Sequence, residues 1–411
     1  MHHDSLSRRR LLAAAALCAT GGVPRLAFAD LEAKPTALDD AYAFLVRMMD
    51  LYASGSTLRL AQSYVSNSVL HLKDAAFTYD NAVALLAFLQ RGTPDDLARA
   101  TTLGRALAYA QTFDPIADGR IRDGYHTKPF ILASGAPNIN TDDGDQGTDC
   151  GNMAWTGLAL CRLAQSLQRA GQPADDILAA ALAIGNWIQA HAYDTRGAGG
   201  YTSGFSPKQA PLTYKSTELN VDIHALFTML ATLDVASTWT PRAAHALAFI
   251  DSMWNAKGGF FWVGTGNDGV TLNKDFKPED VQSWTWLATL DAAHAGSIDW
   301  ANQNLHRVDG TFDGVCFSDA DKKGVWFEGT AHMACAMLAR HGAGDAARAQ
   351  TYLSSIELAQ ATAVAGSTQG VPAASRKLPT GDGDDYFVAL HIGATGWYCL
   401  AKLAGNPMRL A

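Results

Sequence analysis

The sequence predicts an all-α protein, a closed (α/α)6 toroid of six helical hairpins with short β-hairpin inserts on one rim. Three observations carry this. Helical segments succeed one another along nearly the whole chain, they alternate between two classes of composition, and long glycine-rich inserts stand ahead of the segments of one class. The first class is amphipathic, and the second is apolar nearly all round and rich in Ala and Gly, as a helix buried on every side must be. Six of each in strict alternation place the small-residue helices inside a ring and the amphipathic ones outside. An open superhelix of stacked helix pairs would also repeat hairpins, but the irregular repeats and long inserts favour closure.

Taken in order, residues 1–29 read as an export signal, with Arg8-Arg9-Arg10 leading into the apolar run from Leu11 to Leu17 and ending at Ala27-Phe28-Ala29. The paired arginines resemble a twin-arginine signal, and residues 30–411 are expected to form one catalytic domain. The amphipathic runs are Leu38 to Tyr52, Thr93 to Phe113, a run from Pro173, Thr240 to Trp254, Ile298 to Leu305 and Asp345 to Ile356. Ile177, Ala181, Ile184 and Ile188 recur at helical spacing, and Thr93-Pro94 and Thr240-Pro241 each offer a capping hydroxyl before a proline at the first helical position. The inner runs are Asn81 to Leu89, Asn152 to Leu160, Leu219 to Leu233, Val281 to Ala292, Gly329 to Leu338 and Ile392 to Leu403. Inserts 118–148, 197–215, 258–276, 308–324 and 365–383 precede inner helices and are expected on one rim. Within one of them, the aromatic run Gly259 to Val263 is expected to pair with Val270 to Leu272 across the turn residues 266–269.

Composition narrows the function. The chain has 411 residues, 48% apolar and 18% charged, which excludes a disordered chain or a small disulfide scaffold. The five cysteines beyond the signal, Cys150, Cys161, Cys316, Cys335 and Cys399, form no CxxC pair and are odd in number. Removing the signal takes away four arginines and one aspartate, so the remainder is more acidic than the whole chain's net −8, and a nucleic-acid partner is not expected. After the signal, no stretch reaches the ~18 uninterrupted apolar residues that span a bilayer. A periplasmic or secreted monomer is expected, acting on a glycan, with no cofactor and no bound metal.

An acidic residue sits at or just before each inner helix: Asp80, Asp149, Glu218, Asp280, Glu328 and Asp385. The first three stand at equal intervals, as equivalent places in successive hairpins would. A carboxylate there caps free N–H groups and complements the helix dipole, which accounts for Asp80, Asp280 and Asp385 without any further role. Asp149, Glu218 and Glu328 stand beside amides and aromatics and are the catalytic candidates. Glu218 follows Ser216 and Thr217, either of which can take over the cap. Glu328 lies in Val325-Trp326-Phe327-Glu328-Gly329-Thr330, an apolar setting that on burial raises a carboxyl pKa toward what a general acid needs. Asp222, Asn152, Tyr214, Trp284, Trp326, His332 and Tyr386 are the substrate-binding candidates. With Tyr125, Tyr201, Trp262 and Trp397, several of these aromatics are expected near the rim, where flat rings stack on sugars; taken singly, Trp155, Trp187, Trp254 and Trp397 are expected to pack in the core.

The alternation of helices, the run from Asn152 to Leu160 and the run Trp326-Phe-Glu-Gly-Thr-Ala331 together resemble the six-hairpin toroids that include many glycoside hydrolases, some polysaccharide lyases and sugar epimerases. The resemblance covers residues 38 to 404. It implies an acidic cleft at the rim, with an acid and a base supplied by loops or inner-helix starts. Two carboxyl groups across such a cleft hydrolyse a glycosidic bond, one protonating the leaving oxygen while the other activates water or attacks the sugar. A lyase would instead need His126, His224, His332 or Tyr214 as base, with Lys128, Lys215 and Lys274 gathered against a uronate. The epimerases of this group rely on paired histidines and are usually cytoplasmic, against the export signal. A non-catalytic glycan-binding or assembly factor would leave the carboxylates as caps. There is no GxxxxGK[ST] loop, HExxH or GxSxG. Asp143 to Asp149 and Gly381 to Asp385 are oxygen-rich loops without EF-hand spacing.

Overall fold

In the computed structural model, the described residues are 36–65, 72, 74–141, 145–235, 238–362, 369–380 and 385–411. Thr36–Ala411 make up one contact unit. The export signal lies outside the described residues, as do 142–144 and 381–384 of the two oxygen-rich loops.

Twelve α-helices are described. The outer set is α1 (Ala37–Met49), α3 (Pro94–Thr112), α5 (Asp175–His191), α7 (Trp239–Ser252), α9 (Gly296–Asn304) and α11 (Asp345–Thr362). The inner set is α2 (Thr78–Arg91), α4 (Cys150–Arg169), α6 (Thr217–Leu233), α8 (Glu279–Thr289), α10 (Phe327–Arg340) and α12 (Ile392–Lys402). Each inner helix packs on the next, and α12 packs on α2, which closes the ring. The outer helices lie against them as hairpin partners, α1 resting on α12.

Small residues bring the inner helices together. A side chain at Gly157 or Gly396 would collide with Leu226 or Val83 of the next inner helix, and one at Gly104 of outer α3 with Leu163 of α4. Eleven consecutive residues of α10, Phe327 to Met337, are buried, as are all but the last residue of α12. Among the described residues no helix is long and apolar enough to cross a membrane. Cys150, Cys161, Cys316, Cys335 and Cys399 are free and buried.

Helix starts follow local chemistry. Thr93 and Asp96 form a capping box with Pro94 in the first turn of α3, as expected. At α7 the helix begins earlier than the Thr240-Pro241 pair implied. Trp239 is buried and donates its indole N–H to Asp234 at 2.7 Å, which draws the first turn forward, and Thr238 precedes it without a side-chain cap.

The expected hairpin is also different in detail. Phe260–Phe261 pairs backward with Trp254–Asn255, and it is Gly264–Thr265 that pairs with Leu272–Asn273 across the turn. The backward pairing keeps the aromatic strand buried, with Phe261 packed on Trp254 and His294. Asp385 departs from the expected pattern too. It lies in a two-residue strand paired with Leu378–Pro379, ion-paired to Lys377, and His391 occupies the start of α12 instead.

Candidate active site

One end of the ring opens into a cleft of about 1200 Å³. Its floor is set by the first turns of the inner helices and its walls by the inserts: Asp123 and Asp145 from the first, Tyr214 and Lys215 from the second, 263–267, Asn273 and Phe276 from the third, Phe317 from the fourth and Lys377 and Thr380 from the last. Asp149, Glu218 and Glu328 all line this one cleft, together with Asp222, Asn152, Tyr214, Trp284, Trp326 and Tyr386. His332 does not line it. That ring is buried behind Glu328.

On one side stands a group of carboxyls. Asp149 caps α4, its Oδ1 accepting from Gly151 N at 2.7 Å. Asp123, from the glycine-rich insert, accepts from Asp149 N at 2.7 Å and from the Asn152 amide at 2.9 Å. Asn152 therefore orients a carboxyl as well as facing the cleft. Burial raises Asp149 to about 7, with the charge of Asp123 adding to it. Burial likewise raises Asp123 to about 6, against its amide hydrogen bonds. Asp222, from the second turn of α6, is fully buried, with the Trp155 indole beside its carboxyl and no closer hydrogen-bond partner among the described residues. Desolvation and the charges of Asp149 and Asp280 push its pKa well up, and the Trp155 indole beside it offsets little of the rise. A Cβ at Gly151 would lie 3.0 Å from Asp149 Oδ1 and 3.3 Å from Asp222 Oδ2, so the two carboxyls converge on one small space.

On the other side, Glu328 is buried yet held ionised. The Tyr79 hydroxyl donates to Oε1 at 2.6 Å and in turn accepts from the Trp397 indole at 2.7 Å. His391 Nδ1 lies 3.4 Å from Oε2, and His332 Nε2 lies 3.8 Å from Oε1. Burial alone would raise this carboxyl, as its aromatic sequence neighbours suggest. The two imidazoles overcome it and pull Glu328 down to about 2. The expected environment for a general acid at Glu328 is thus replaced by one for a permanent carboxylate.

The histidines are held by carboxylates on their far sides. His391 Nε2 meets Asp80 Oδ2 at 2.9 Å, and His332 Nδ1 meets Glu279 Oε2 at 3.0 Å. Against the cost of burial, these partners and Glu328 raise His391 to about 10 and His332 to about 9. The Ala394 amide, 3.3 Å from His391 Nδ1, would favour a neutral ring. Two carboxylates outweigh one long amide contact, so both rings are cations at neutral pH.

Below lies an aromatic floor. Trp155 and Trp284 are 4.9 Å apart between ring centroids, with Tyr79 5.2 Å and Trp397 5.6 Å from Trp155. Trp155 and Trp397 are buried in the core as expected, Trp155 also lining the cleft, whereas Tyr125 and Tyr201, expected near the rim, are core. Burial pushes the Tyr386 phenol pKa up, and the charges of Glu328, Asp280 and Glu218 add to the rise.

The basic patch that a uronate would need is not assembled. Lys215 buries its ammonium against Asp194 and the carbonyls of Arg196 and Gly199. Lys128 lies over Tyr52 and Lys274 over Trp262, and neither lines the cleft. His126 and His224 lie outside the cleft lining too, His224 bonding the carbonyl of Ala243.

No protein-family model matches the sequence, and no curated protein does. Solved structures match by fold. A glycosidase variant in complex with glucose superposes with a TM-score of 0.60 at 14% identity, covering 89% of this chain and 95% of that one. The cellobiose 2-epimerase of Bacillus thermoamylovorans gives 0.64 at 12%, covering 88% and 95%. A family 76 glycoside hydrolase from a bovine Bacteroides thetaiotaomicron strain gives 0.59 at 11%, covering 89% and 77%. By architecture, then, the chain is an (α/α)6 toroid, the fold it has in common with these glycosidases and this epimerase.

Proposed function

We propose that the protein is an exported glycoside hydrolase acting on a polysaccharide or oligosaccharide. One observation carries the reading: the same cleft presents carboxyl groups whose environments drive their pKa values apart, Asp149 up to about 7 and Glu328 down to about 2. That separation is what assigns acid and carboxylate roles in glycosidases. Asp149, protonated below neutrality, donates to the leaving oxygen, with Asp123 holding its proton affinity up. Glu328, ionised throughout, faces the positive charge that develops at the anomeric carbon. Glu218 reaches the same cleft from the first turn of α6 and is the carboxylate that activates water in this reading. Tyr386, backed by buried Trp326, offers a face for a sugar ring, and Asn152 and Tyr214 offer polar contacts, while Trp284 and Asp222 lie buried at the back of the cleft lining.

A sugar-epimerase reading has one observation of its own, the pair His332 and His391 around Glu328. Proton abstraction next to a carbonyl needs a neutral imidazole, and flanking carboxylates hold both rings in the cationic form. Hydrolysis is therefore preferred.

The test is release of new reducing ends from a panel of neutral, amino and acidic glycans, run in deuterium oxide. Hydrolysis gives reducing ends without deuterium on carbon, and Asp149→Asn and Glu328→Gln lower the rate by 10²-fold or more, the scale expected of general acid–base groups. Epimers carrying deuterium and no new reducing ends would replace this reading with the second. Glycan binding without turnover would point to the glycan-binding factor.

A further inference from the structure

Glu328 draws its charge and its direction from different neighbours. The two imidazoles that keep it ionised stand 3.4 Å and 3.8 Å from its oxygens, too far to be ordinary hydrogen bonds. They supply a field but fix little geometry. Among the described residues, the one hydrogen bond of ordinary length to this carboxyl comes from the Tyr79 hydroxyl, 2.6 Å from Oε1.

The direction of that hydroxyl is itself fixed. A phenol has a single proton and can turn it toward any acceptor in reach. The Trp397 indole nitrogen, 2.7 Å from the phenol oxygen, is a donor only, so the oxygen accepts from it and the phenol proton is left for Glu328. Burial and the Glu328 charge push the Tyr79 pKa well up, which keeps that proton on the phenol. Trp397, Tyr79 and Glu328 thus form a chain of donors that runs one way, from α12 through the first turn of α2 to α10. Packing alone does not call for the hydroxyl. The Tyr79 ring meets Trp155 at 5.2 Å and Trp284 at 5.9 Å, contacts a phenyl ring would make equally well. Tyr79 is partly exposed where it lines the cleft, whereas Glu328 is buried beside it. The next residue, Asp80, reaches the same carboxylate through His391, so one turn of α2 acts on Glu328 twice, once by a hydrogen bond and once by way of a charge.

We propose that Tyr79 is a positioning residue for Glu328, its hydroxyl aimed by the Trp397 indole and holding Oε1 so that the carboxylate is presented to the reacting sugar carbon in one orientation. This rests on the hydrolase reading and adds to it the two groups that aim its carboxylate. The phenol keeps its proton throughout, and no bond to it forms or breaks.

The experiment is steady-state kinetics across pH on the full-length protein and on Tyr79→Phe, Trp397→Phe and the double variant, with the glycan of the reducing-end panel that is cleaved fastest. Neither substitution removes a charged or titratable neighbour of Glu328 other than Tyr79 itself: His332 on its own helix, Glu279 from α8, Asp80 from α2, His391 at the start of α12 and the Tyr386 phenol all remain. Tyr79→Phe is expected to lower kcat at least 10-fold with KM within about 3-fold, because misplacing a reacting group costs rate more than binding. The acidic limb of kcat/KM should move up by about 1–2 pH units, since a donor to the ionised carboxyl is lost. Trp397→Phe should lower kcat by less, and the double variant should be no slower than Tyr79→Phe, because the indole acts only through the phenol; independent effects would multiply. An unchanged kcat and acidic limb in Tyr79→Phe, or losses that multiply in the double variant, overturn the proposal. If Trp397→Phe does not fold, the pH profile of Tyr79→Phe decides alone. If no glycan of the panel is cleaved, the hydrolase reading falls and the positioning is read directly. The chain has five glutamates, so the carbon-13 carboxyl signal of Glu328 in glutamate-labelled protein is assigned by its loss in Glu328→Gln. That signal should begin to titrate on acidification to pH 4 in Tyr79→Phe and stay flat in the unmodified protein; the same flat line in both overturns the proposal.

Discussion

Asp149 does two things that a single carboxyl seldom combines. It caps α4 through Oδ1, and it sits beside Asp123 and Asp222 with a raised pKa. Cap and site make opposite demands, because the cap is served equally by Asn whereas proton donation is not. Asp149→Asn is therefore expected to raise the unfolding free energy at pH 8 by on the order of 1–3 kcal/mol, since it removes a charge that is costly to bury there. The same variant should lose most hydrolytic activity. Thermal melts and initial rates on one preparation check both signs, and a lower Tm together with unchanged rate would sink the assignment. Asp123→Asn is expected to shift the pH dependence to lower pH before it lowers the maximum rate, because Asp123 acts on Asp149 through its charge. Asp123 was not legible in the sequence: it lies in an insert without periodicity, and only the pairing of Gly124–His126 with Ala75–Phe77 and its hold on Asp149 N bring it to the cleft. Glu328 was legible as a site residue but not in its charge state. Of the two cations that decide it, His332 stands one turn on in the same helix, but His391 sits 63 residues further along, where it opens α12.

The helices were the most legible level, because burial on every side leaves a composition that no exposed helix shares. Inner-helix glycines were legible as small residues but not in their separate consequences. In α12, a methyl at Gly393 would meet Asp80 Oδ1 and the His391 ring at 2.7 Å and Glu328 Oε2 at 3.2 Å. A methyl at Gly396, one turn on, would meet only Val83. Gly396→Ala is expected to lower stability by about 1–3 kcal/mol through overpacking while kcat stays within about 2-fold in the folded fraction. Gly393→Ala should lower kcat at least 10-fold in the folded fraction and cost at least as much stability, because it displaces the buried ion cluster. Steady-state rates and denaturant titrations of the two variants separate these outcomes. The strand pairs were the least legible level. Two-residue ladders such as Phe260–Phe261 with Trp254–Asn255 are set by which side chains can be buried, and alternation over so few residues carries no register.

At the scale of the molecule, the site's groups impose a pH dependence on both activity and stability. Activity requires Asp149 protonated and Glu328 ionised, so kcat/KM is expected to be flat from about pH 4 to 6 and to fall through about 7 on the alkaline side. A profile with an acidic limb near 6 and no alkaline limb would exchange the roles. His332 and His391 have folded pKa values raised to about 9 and about 10 from 6.5, so their contribution is fully present below 6.5 and is lost as pH rises through 9 to 10. Asp123 and Asp149 are raised from 3.8 to about 6 and about 7, so their contribution is also lost as pH rises, through that lower window. Glu328 works oppositely, being lowered from 4.5 to about 2, and its contribution is lost as pH falls through 2. Melting temperature is therefore expected to peak near pH 5 and to decline steadily to pH 10, which a series of calorimetric scans would show. The ring closes where α12 meets α2, and the Asp80–His391 pair lies at that junction, one partner from the first inner helix and the other from the start of the last. Without α12 the fold would have neither the finished wall nor the His391 cation beside Glu328, so the helix that closes the ring also sets the charge of the cleft.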